Sequence, residues 1–364
     1  MLQKQITLLL VFFLFSFSVF GQNIAPAIEW QRCFGTSEFD HAISTTPTKD
    51  GGYIFVGWIG AFDGDAVGLM GHGLRDIWVV KCSALGVIQW QKLLGGSGVD
   101  EARSIVQTAD GGYIILANTT SNNGNVSGNH SAKYNILLLK LSPQGAIQWQ
   151  KCYGGSEDDE ALLLVASSDG GYFILGHASS NDGDVIRLTG SNWVIKVSAN
   201  GAIQWQNMFG PASADFINSI CQTADGGYMI IGQTNSLDAV GKIGFGPNVL
   251  IFKLSSVGAV EWQKCYGRNG GSNGGDYGES ISPTKDGGFI FSSSTFSNDV
   301  NVSGNHGKAD AWIVKCSATG IIEWQKCIGG TEKQRHLPRF YRFIRALRGF
   351  CGYRTLYHIA RFAE

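Results

Sequence analysis

The sequence predicts an all-β protein, a β-propeller of about five four-stranded blades. A motif close to TADGGYII occurs five times, beginning at positions 48, 108, 167, 223 and 284. Between copies lie short segments rich in β-branched and aromatic residues, separated by clusters of Gly, Asn, Asp and Ser, and no amphipathic helix of ordinary length intervenes. Four antiparallel strands per repeat are typical of propeller blades, and an open β-solenoid of repeats is the alternative.

One repeat unit reads close to IxWQKxxGGSxxDxAxSIxxTxDGGYIIxGxTxSNxGxVxGNHxxxDxWVVKLSxxG. We expect its four strands around IxWQK, SIxxT, GYIIxG and DxWVVKLS. The first of these segments is marked by a tryptophan in six copies: Trp30, Trp90, Trp149, Trp205, Trp262 and Trp324. This count predicts five full periods and a spare first strand. The spare strand, at residues 28–34, is expected to close the ring by pairing with the other end of the chain.

The DGG of each motif is expected to form the hairpin turn between the second and third strands. Glycine supplies the positive φ that a tight turn needs, and the Asp side chain accepts hydrogen bonds from the turn backbone. The motif resembles the Asp-box hairpin of propellers in sialidases and some xyloglucan-degrading endoglucanases. The matching residues are Thr48, Asp50, Gly52 and Phe55, and again Thr284, Asp286, Gly288 and Phe291. The resemblance implies a propeller fold and no activity, because the Asp box of those families lies away from the catalytic centre.

The whole unit, over residues 28–330, is also similar to that of secreted repeat proteins of Bacteroidota. The combination of IxWQKxxGG, DGGY and DxWVVK within one period carries this resemblance. Such proteins commonly continue into a C-terminal sorting domain for type IX secretion, and that domain is missing from this sequence. The resemblance implies an exported repeat protein at or near the cell surface.

Three segments are expected along the chain. Residues 1–21 have Lys4, an apolar run and then Gly21, the layout of a secretory signal peptide, so we expect no membrane span in the mature chain. Residues 22–330 form the repeat domain of a secreted or cell-surface protein, with the periplasm as the alternative. Residues 331–364 form an aberrant basic tail. A frame shift or truncated sixth repeat is favoured there over a genuine basic amphipathic helix.

Charge and cysteine content argue against two classes of function. The tail from Lys333 to Glu364 holds eight of the 28 Lys and Arg residues and one of the 29 Asp and Glu residues, so the rest of the chain is acidic. An acidic body gives no electrostatic basis for binding nucleic acid. The cysteines alternate with Leu, Met or Val at equivalent repeat positions, which favours buried packing over disulfides, and no CxxC spacing indicates a metal site.

Residues that recur in every copy are expected to belong to the scaffold, because a catalytic centre needs different residues converging on one place. One set lies ten residues before each DGG aspartate: Asp40, Asp100, Asp159, Asp215 and Asp276. A second set ends the WVVK segment: Lys81, Lys140, Lys196, Lys253 and Lys315. The repeat tryptophans are likewise expected to pack between blades.

The variable loop after GYIIxG is the predicted binding region. Its polar residues could hydrogen-bond sugar hydroxyls or hold a weakly bound calcium ion, although Asx-type turns are the simpler interpretation. They are Asp63, Asp65, Asn125, His130, Asp182, Asp184, Asp299 and His306. No cofactor other than calcium is expected, and no catalytic residue is assigned.

The predicted function is binding or adhesion, with a polysaccharide or a cell-surface protein as the ligand. HExxH and P-loop motifs are absent from the sequence. The alternative is a glycan-degrading enzyme, for which the acidic run from Glu157 to Glu160 would be the candidate carboxylate pair, and a structural repeat is a third interpretation.

Overall fold

A computed structural model describes residues 28–186, 190–209, 216–236, 246–267 and 275–331. The expected signal peptide, Asp215 and nearly all of the expected tail lie outside these ranges. The described residues form twenty β-strands and one short 3-10 turn, Gly64–Ala66, and contain no α-helix. The predicted all-β class is therefore confirmed.

The strands form five antiparallel sheets of four, each made of consecutive strands in chain order. Sheet 1 contains β1 (His41–Pro47), β2 (Tyr53–Trp58), β3 (Ile77–Cys82) and β4 (Ile88–Leu94). Sheet 2 contains β5 (Asp100–Gln107), β6 (Tyr113–Thr119), β7 (Asn135–Leu141) and β8 (Ile147–Tyr153). Sheet 3 contains β9 (Asp159–Ala166), β10 (Tyr172–Ala178), β11 (Asn192–Val197) and β12 (Ile203–Phe209).

The last two sheets repeat the same order. Sheet 4 contains β13 (Phe216–Gln222), β14 (Tyr228–Thr234), β15 (Asn248–Leu254) and β16 (Val260–Tyr266). Sheet 5 contains β17 (Tyr277–Pro283), β18 (Phe289–Thr295), β19 (Asp310–Cys316) and β20 (Ile322–Ile328). Consecutive antiparallel strands within one sheet form the blade of a β-propeller, whereas a β-solenoid would stack parallel strands.

The predicted phase of the repeat was wrong by one strand. Five of the six repeat tryptophans lie on the fourth strand of a sheet, as Trp90 does on β4 and Trp324 on β20, and Trp30 lies in no strand. The GGSxxD segment after a tryptophan strand leads into a new sheet rather than into a hairpin. Strand β20 therefore completes sheet 5 and does not begin a sixth unit. The spare strand expected at residues 28–34 is also not formed, since residues 28–36 carry no strand.

First strands lie where neighbouring sheets meet. Strand β1 contacts β5, β5 contacts β9, β9 contacts β13, and β13 contacts β17. In a propeller the strand of each blade nearest the common axis contacts its counterparts in this way. We use the term axial end for the end of each sheet at which its first strand begins. The residues of the candidate site lie at this end.

Apolar side chains pack between the faces of successive sheets. Ile54 and Val79 of sheet 1 form one buried cluster with Ile115 and Leu139 of sheet 2. Equivalent clusters join sheets 2 and 3, sheets 3 and 4, and sheets 4 and 5. Each inner sheet is covered on both faces, so its second and third strands are nearly continuous apolar runs.

The tryptophans of sheets 1 to 4 pack between sheets, as expected, whereas Trp324 of sheet 5 is 43% exposed. A Cβ on Gly145 of sheet 2 would stand 2.9 Å from the ring of Trp90 of sheet 1, and Gly201 relates in the same way to Trp149 at 3.0 Å. Gly145 has a φ of 81°, so both its backbone conformation and the adjacent ring require glycine.

Several cysteines of the described chain act as apolar groups, as their interchange with Leu and Met predicted. Cys152, Cys316 and Cys327 are free thiols. Burial raises the pKa of the Cys152 thiol to about 12 and that of Cys327 to about 11. A thiol with so high a pKa carries almost no thiolate at neutral pH, so these side chains serve packing rather than reactivity.

Candidate functional site

Most of the predicted binding side chains hold the linker that enters their own sheet. In the loop between β2 and β3, Asp63 Oδ1 accepts a hydrogen bond from the Ser37 amide at 2.7 Å, and Asp65 Oδ2 accepts one from the Gly35 amide at 3.0 Å. Hydrogen bonds from Ser37 lower the pKa of Asp63. These carboxylates therefore anchor the start of sheet 1.

The same arrangement recurs where the chain enters sheets 2 and 3. Asn125 Oδ1 accepts from the Gly95 amide at 3.2 Å, and Asp182 Oδ1 accepts from the Ser156 amide at 2.8 Å. Asp184 Oδ2 accepts a longer bond from a linker amide of sheet 3. A contact repeated in successive sheets is expected of a scaffold. Ligand binding through these residues stays a prediction, but their oxygens already have protein partners.

The two predicted histidines have different surroundings. His130 Nε2 lies 2.9 Å from Asp184 Oδ2 and so joins the loops of sheets 2 and 3. His306 Nδ1 lies 2.8 Å from Asp310 Oδ2 within the loop of sheet 5. Asp299 lies in that same loop, and most of the linker that enters sheet 5 falls outside the described ranges.

The four acidic residues at the start of sheet 3 lie in four different environments. Glu157 forms an ion pair on the surface, and Asp158 Oδ1 accepts a hydrogen bond from a backbone amide at 3.0 Å. Asp159 is fully buried and accepts a hydrogen bond from a serine hydroxyl. Glu160 is left exposed at the axial end of β9. The run is therefore not a carboxylate pair in itself.

A β-bulge occurs at the same place in every first strand. The pairing of first and second strands shifts across one residue in each sheet. Such bulges re-aim a side chain and are common beside active sites. The first-strand residue at the bulge differs in every sheet: Ile43, Arg103, Leu162, Asn218 and Glu279. The fold thus places five different side chains at one repeated backbone position, although Glu279 is only 2% exposed there.

Next to each bulge, the axial end of the first strand carries a cross-strand pair whose composition also differs. The pairs are His41 with Trp58, Glu101 with Asn118, Glu160 with His177, Phe216 with Gln233, and Tyr277 with Ser294. Side chains directly opposite one another on an antiparallel pair interact with each other. We call these pairs and the five bulge residues the axial set.

A chain of charged and aromatic groups joins sheets 1 and 2 within the axial set. The Arg75 guanidinium lies 4.6 Å from the centre of the Trp58 ring, and the His41 ring stacks 5.5 Å from the same indole. Arg75 also pairs with Glu101, whose other oxygen lies 3.4 Å from Arg103. Because Trp58 already stacks with His41 and Arg75, it is a poor platform for a sugar ring.

Backbone contacts with the linker before sheet 2 fix the position of Arg75. It forms an isolated parallel bridge with Val99, and its carbonyl accepts a hydrogen bond from the Asp100 amide at 2.9 Å. The side chain therefore leaves the loop of sheet 1 beside the first residues of β5. As a result, a residue of one sheet supplies the ion-pair partner of Glu101 in the next.

The pKa values of Tyr134 and His177 are shifted by burial and by the charged groups around them. Burial raises the pKa of Tyr134; the charges of Glu101 and Glu160 raise it further, and the two neighbouring arginines lower it. Burial lowers the pKa of His177, and Glu160 opposes that change. Two carboxylates of neighbouring sheets thus act on one phenol, and of the two only Glu101 has an ion pair within the described ranges.

Sequence reasoning missed the axial set because it looked for variation in loops. The available signal was in the DxAxS segment, where the second variable position differs in every copy and the first differs in all copies but two. Glu101 and Arg103 occupy those positions in sheet 2, and Glu160 and Leu162 occupy them in sheet 3. Only the strand pairing shows that both positions belong to the axial end.

The part of the chain that the structure describes contains no group of three or more His, Cys, Asp or Glu side chains placed to hold a metal ion. Within those same ranges, no helix has the length and apolar character needed to cross a membrane.

Comparison with known proteins identifies no family for the chain. No family model and no curated protein matches it. Among solved structures, a chimera of apocarotenoid oxygenase and RPE65 matches at 10% identity and a TM-score of 0.44, over 81% of this chain and 63% of that one. The chain thus spans less than two thirds of that protein's length.

Two further structures match at similarly low levels. A gluconolactonase from Xanthomonas campestris is 11% identical with a TM-score of 0.36, over 80% of this chain and 79% of that one. A member of the DUF4221 family from Bacteroides vulgatus is 9% identical with a TM-score of 0.36, over 80% of this chain and 87% of that one. Similarity at this level gives no information about function.

Proposed function

We propose that the protein is an exported propeller that binds a carbohydrate at the axial set. The observation that carries this proposal is the bulge shared by all five first strands, which presents a different side chain in each sheet. A scaffold alone has no need of five different residues at one symmetric place. Variation at such a place is expected of a site that contacts an asymmetric ligand. Export is inferred from the apolar segment within residues 1–21.

The chemistry of the axial set fits a polyhydroxylated ligand. Arg103 offers donors for hydroxyl groups and Glu160 offers acceptors. Asn218 offers its Oδ1 as an acceptor, since its amide nitrogen donates to Gln233 and Gly278, and Phe216 is 42% exposed. An apolar ring beside a few fixed polar groups is the usual composition of a small-ligand site. Phe216 meets His177 edge to face at 5.8 Å, which holds its ring in place.

Binding to a panel of polysaccharides and glycans tests the proposal. We expect Arg103→Ala and Asn218→Ala to weaken retention of the full chain on its glycan by roughly tenfold, the loss expected when a hydrogen bond of about 1.4 kcal/mol is removed. Lys285→Ala is the matched control, because Lys285 is exposed at the opposite end of β17 and β18. If both axial variants retain full affinity, the ligand binds elsewhere and the proposal is wrong.

A glycan-degrading enzyme is the second candidate, and one observation favours it. Glu101 is held by two arginines, while Glu160, at the equivalent position of the next sheet, has no ion pair in the described part of the chain. Two carboxylates with contrasting surroundings are the usual starting point for acid and base roles. Release of reducing ends that is lost in Glu160→Gln, with glycan binding retained, would establish the enzyme.

A further inference from the structure

Two buried carboxylates meet where sheet 1 adjoins sheet 2. Asp76 is 3% exposed and Asp100 is fully buried. A Cβ on Gly95 would stand 2.5 Å from Asp76 Oδ1 and 2.6 Å from Asp100 Oδ2. Both oxygens therefore flank the same glycine, and any side chain at that position would collide with them.

Asp100 is surrounded by neutral donors. Its Oδ1 accepts a hydrogen bond from the Thr119 hydroxyl, and its Oδ2 accepts from the Ser121 hydroxyl at 2.8 Å and the Gly96 amide at 2.7 Å. All three donors are neutral groups, so none of them brings an opposite charge to the carboxylate. Burial raises the pKa of Asp100, and the charge of Asp76 adds to that rise.

Asp76 is less well satisfied. Its Oδ2 accepts from the His72 amide at 2.7 Å, but its Oδ1, the oxygen beside Gly95, is buried and has no hydrogen-bond partner among the residues that the structure describes. The nearest basic group is the His72 ring, with Nδ1 3.7 Å from that oxygen. The adjacent Arg75 is directed away, to Glu101.

The equivalent boundary between sheets 2 and 3 carries one charge fewer. There Asn135 takes the place of Asp76, and Asn135 Oδ1 and Asp159 Oδ2 flank Gly154. The Asn135 amide donates to the Ser131 hydroxyl at 3.2 Å, a bond that a carboxylate cannot make. Asp76 therefore departs from this arrangement by adding a second buried carboxylate, which is costly unless a proton or a cation accompanies it.

We propose that Asp76 Oδ1 and Asp100 Oδ2 bind a hard divalent cation of the calcium class between sheets 1 and 2. Two carboxylate oxygens balance its charge, and hard cations complete their coordination with backbone carbonyl groups and water. The cation would fasten the two sheets where Gly95 leaves no side chain between them. This site is distinct from the axial set and does not depend on the proposed carbohydrate ligand.

Calcium titration of the full chain tests the site, with calorimetry for binding and thermal unfolding for stability. After treatment with EDTA, we expect calcium to bind and to raise the Tm of the native sequence, and magnesium to do so more weakly. Asp76→Asn should lose both responses while unfolding at a higher Tm than the native sequence in EDTA, because it removes the second buried charge. Asn135→Asp should create a second calcium site beside Asp159.

Asp310→Asn is the matched control. Asp310 is 2% exposed and has a histidine partner, as Asp76 does, but Gln334 stands where the repeat would supply a second aspartate. This variant should keep the full calcium response. The proposal is overturned if Asp76→Asn still responds to calcium or if the native sequence binds none. If the native sequence binds no calcium, its stability should be measured in EDTA at several pH values. Stability that falls as pH rises in the native sequence, but not in Asp76→Asn, would show that the two carboxylates share a proton instead.

Discussion

Lys140 of β7 reaches back to the hairpin between β5 and β6, where its Nζ lies 2.9 Å from Asp110 Oδ1. The same ammonium donates to the Thr108 hydroxyl at 2.8 Å and to the Leu141 carbonyl at 3.3 Å. Each of the other four sheets has an equivalent pair of a nearly buried lysine and the aspartate of its DGG turn. The two recurring features of the sequence thus form one device that ties the third strand to the first hairpin.

Lys140→Met is expected to lower the free energy of unfolding by about 1 to 3 kcal/mol, because it removes a nearly buried donor from three acceptors. Met keeps most of the apolar stem, so the loss reports the polar contacts rather than a cavity. Chemical denaturation measures it. Lys133→Met, in an exposed ion pair with Glu157, is the control and should change stability far less than Lys140→Met does. Equal effects of the two substitutions would contradict a structural role for Lys140.

The DGG hairpins also predict how stability depends on acid. Hydrogen bonds from Lys81 and then Thr48 lower the pKa of Asp50 to about 2, and bonds from Thr223 and then Lys253 do the same for Asp225. A carboxyl whose pKa is lower in the folded chain stabilises it above the unfolded value of 3.8, and that contribution is lost as pH falls towards about 2. On acidification through this window, unfolding midpoints should therefore fall less steeply in Asp225→Asn than in the native sequence. Parallel pH profiles would refute this linkage.

The fold class could be predicted because turn chemistry and strand composition repeat locally, whereas the phase of the repeat could not. The hairpin between β5 and β6 spans residues 108–112, and the linker between sheets 1 and 2 spans residues 95–99, so the two connections have the same length. Both contain paired glycines. Whether such a segment ends in a hairpin or in a new sheet is decided by contacts that local composition does not reveal, such as that between Asp100 and the Gly96 amide.

The loop residues predicted from the sequence and the axial set lie at the same end of the sheets but on different elements. The polar loop residues were predicted to bind a ligand because the side-chain oxygens of Asp and Asn can do so. In the structure these oxygens accept hydrogen bonds from linker amides, as Asp63 does from Ser37. A sequence pattern cannot distinguish an aspartate that binds a ligand from one that holds a turn. The bulge at Arg103 depends on strand register, which follows from packing between sheets rather than from local composition.

Val300 in the loop of sheet 5 is strained, and replacing it should stabilise the protein. Its φ is 56°, whereas the equivalent positions in other loops are Gly64, Gly124 and Gly183 with φ between 53° and 64°. A β-branched residue is strongly disfavoured in this region, and Val300 is 60% exposed, so little packing is lost. We expect Val300→Gly to raise the free energy of unfolding by about 1 kcal/mol.

The reciprocal substitution is the control for this prediction. Gly183→Val places the same side chain at a φ of 63° and should destabilise the chain by a comparable or larger amount. Thermal unfolding of both variants at one pH measures the effect. A loss of stability in Val300→Gly would mean that the valine makes contacts that outweigh the strain.

Glu160 and His177 face each other across β9 and β10. Burial lowers the pKa of His177, and the negative charge of Glu160 partly restores it. Removing that charge in Glu160→Gln should therefore move the pKa of His177 further down. NMR titration of the imidazole protons measures the shift directly, with Glu323→Gln on β20 as the control. An unchanged or higher pKa in Glu160→Gln would show that the two groups do not interact.

The same lowered pKa gives His177 a defined effect on stability. A histidine whose pKa is lower in the folded chain favours the folded state above its unfolded value of 6.5, so stability should decrease as pH falls below 6.5. His177→Asn should remove that part of the pH dependence, because asparagine does not titrate. If His177 also acts within the axial set, glycan binding that weakens on acidification in the native sequence should not weaken in His177→Asn. If binding by this variant still weakens in acid, another group is responsible for the acid sensitivity.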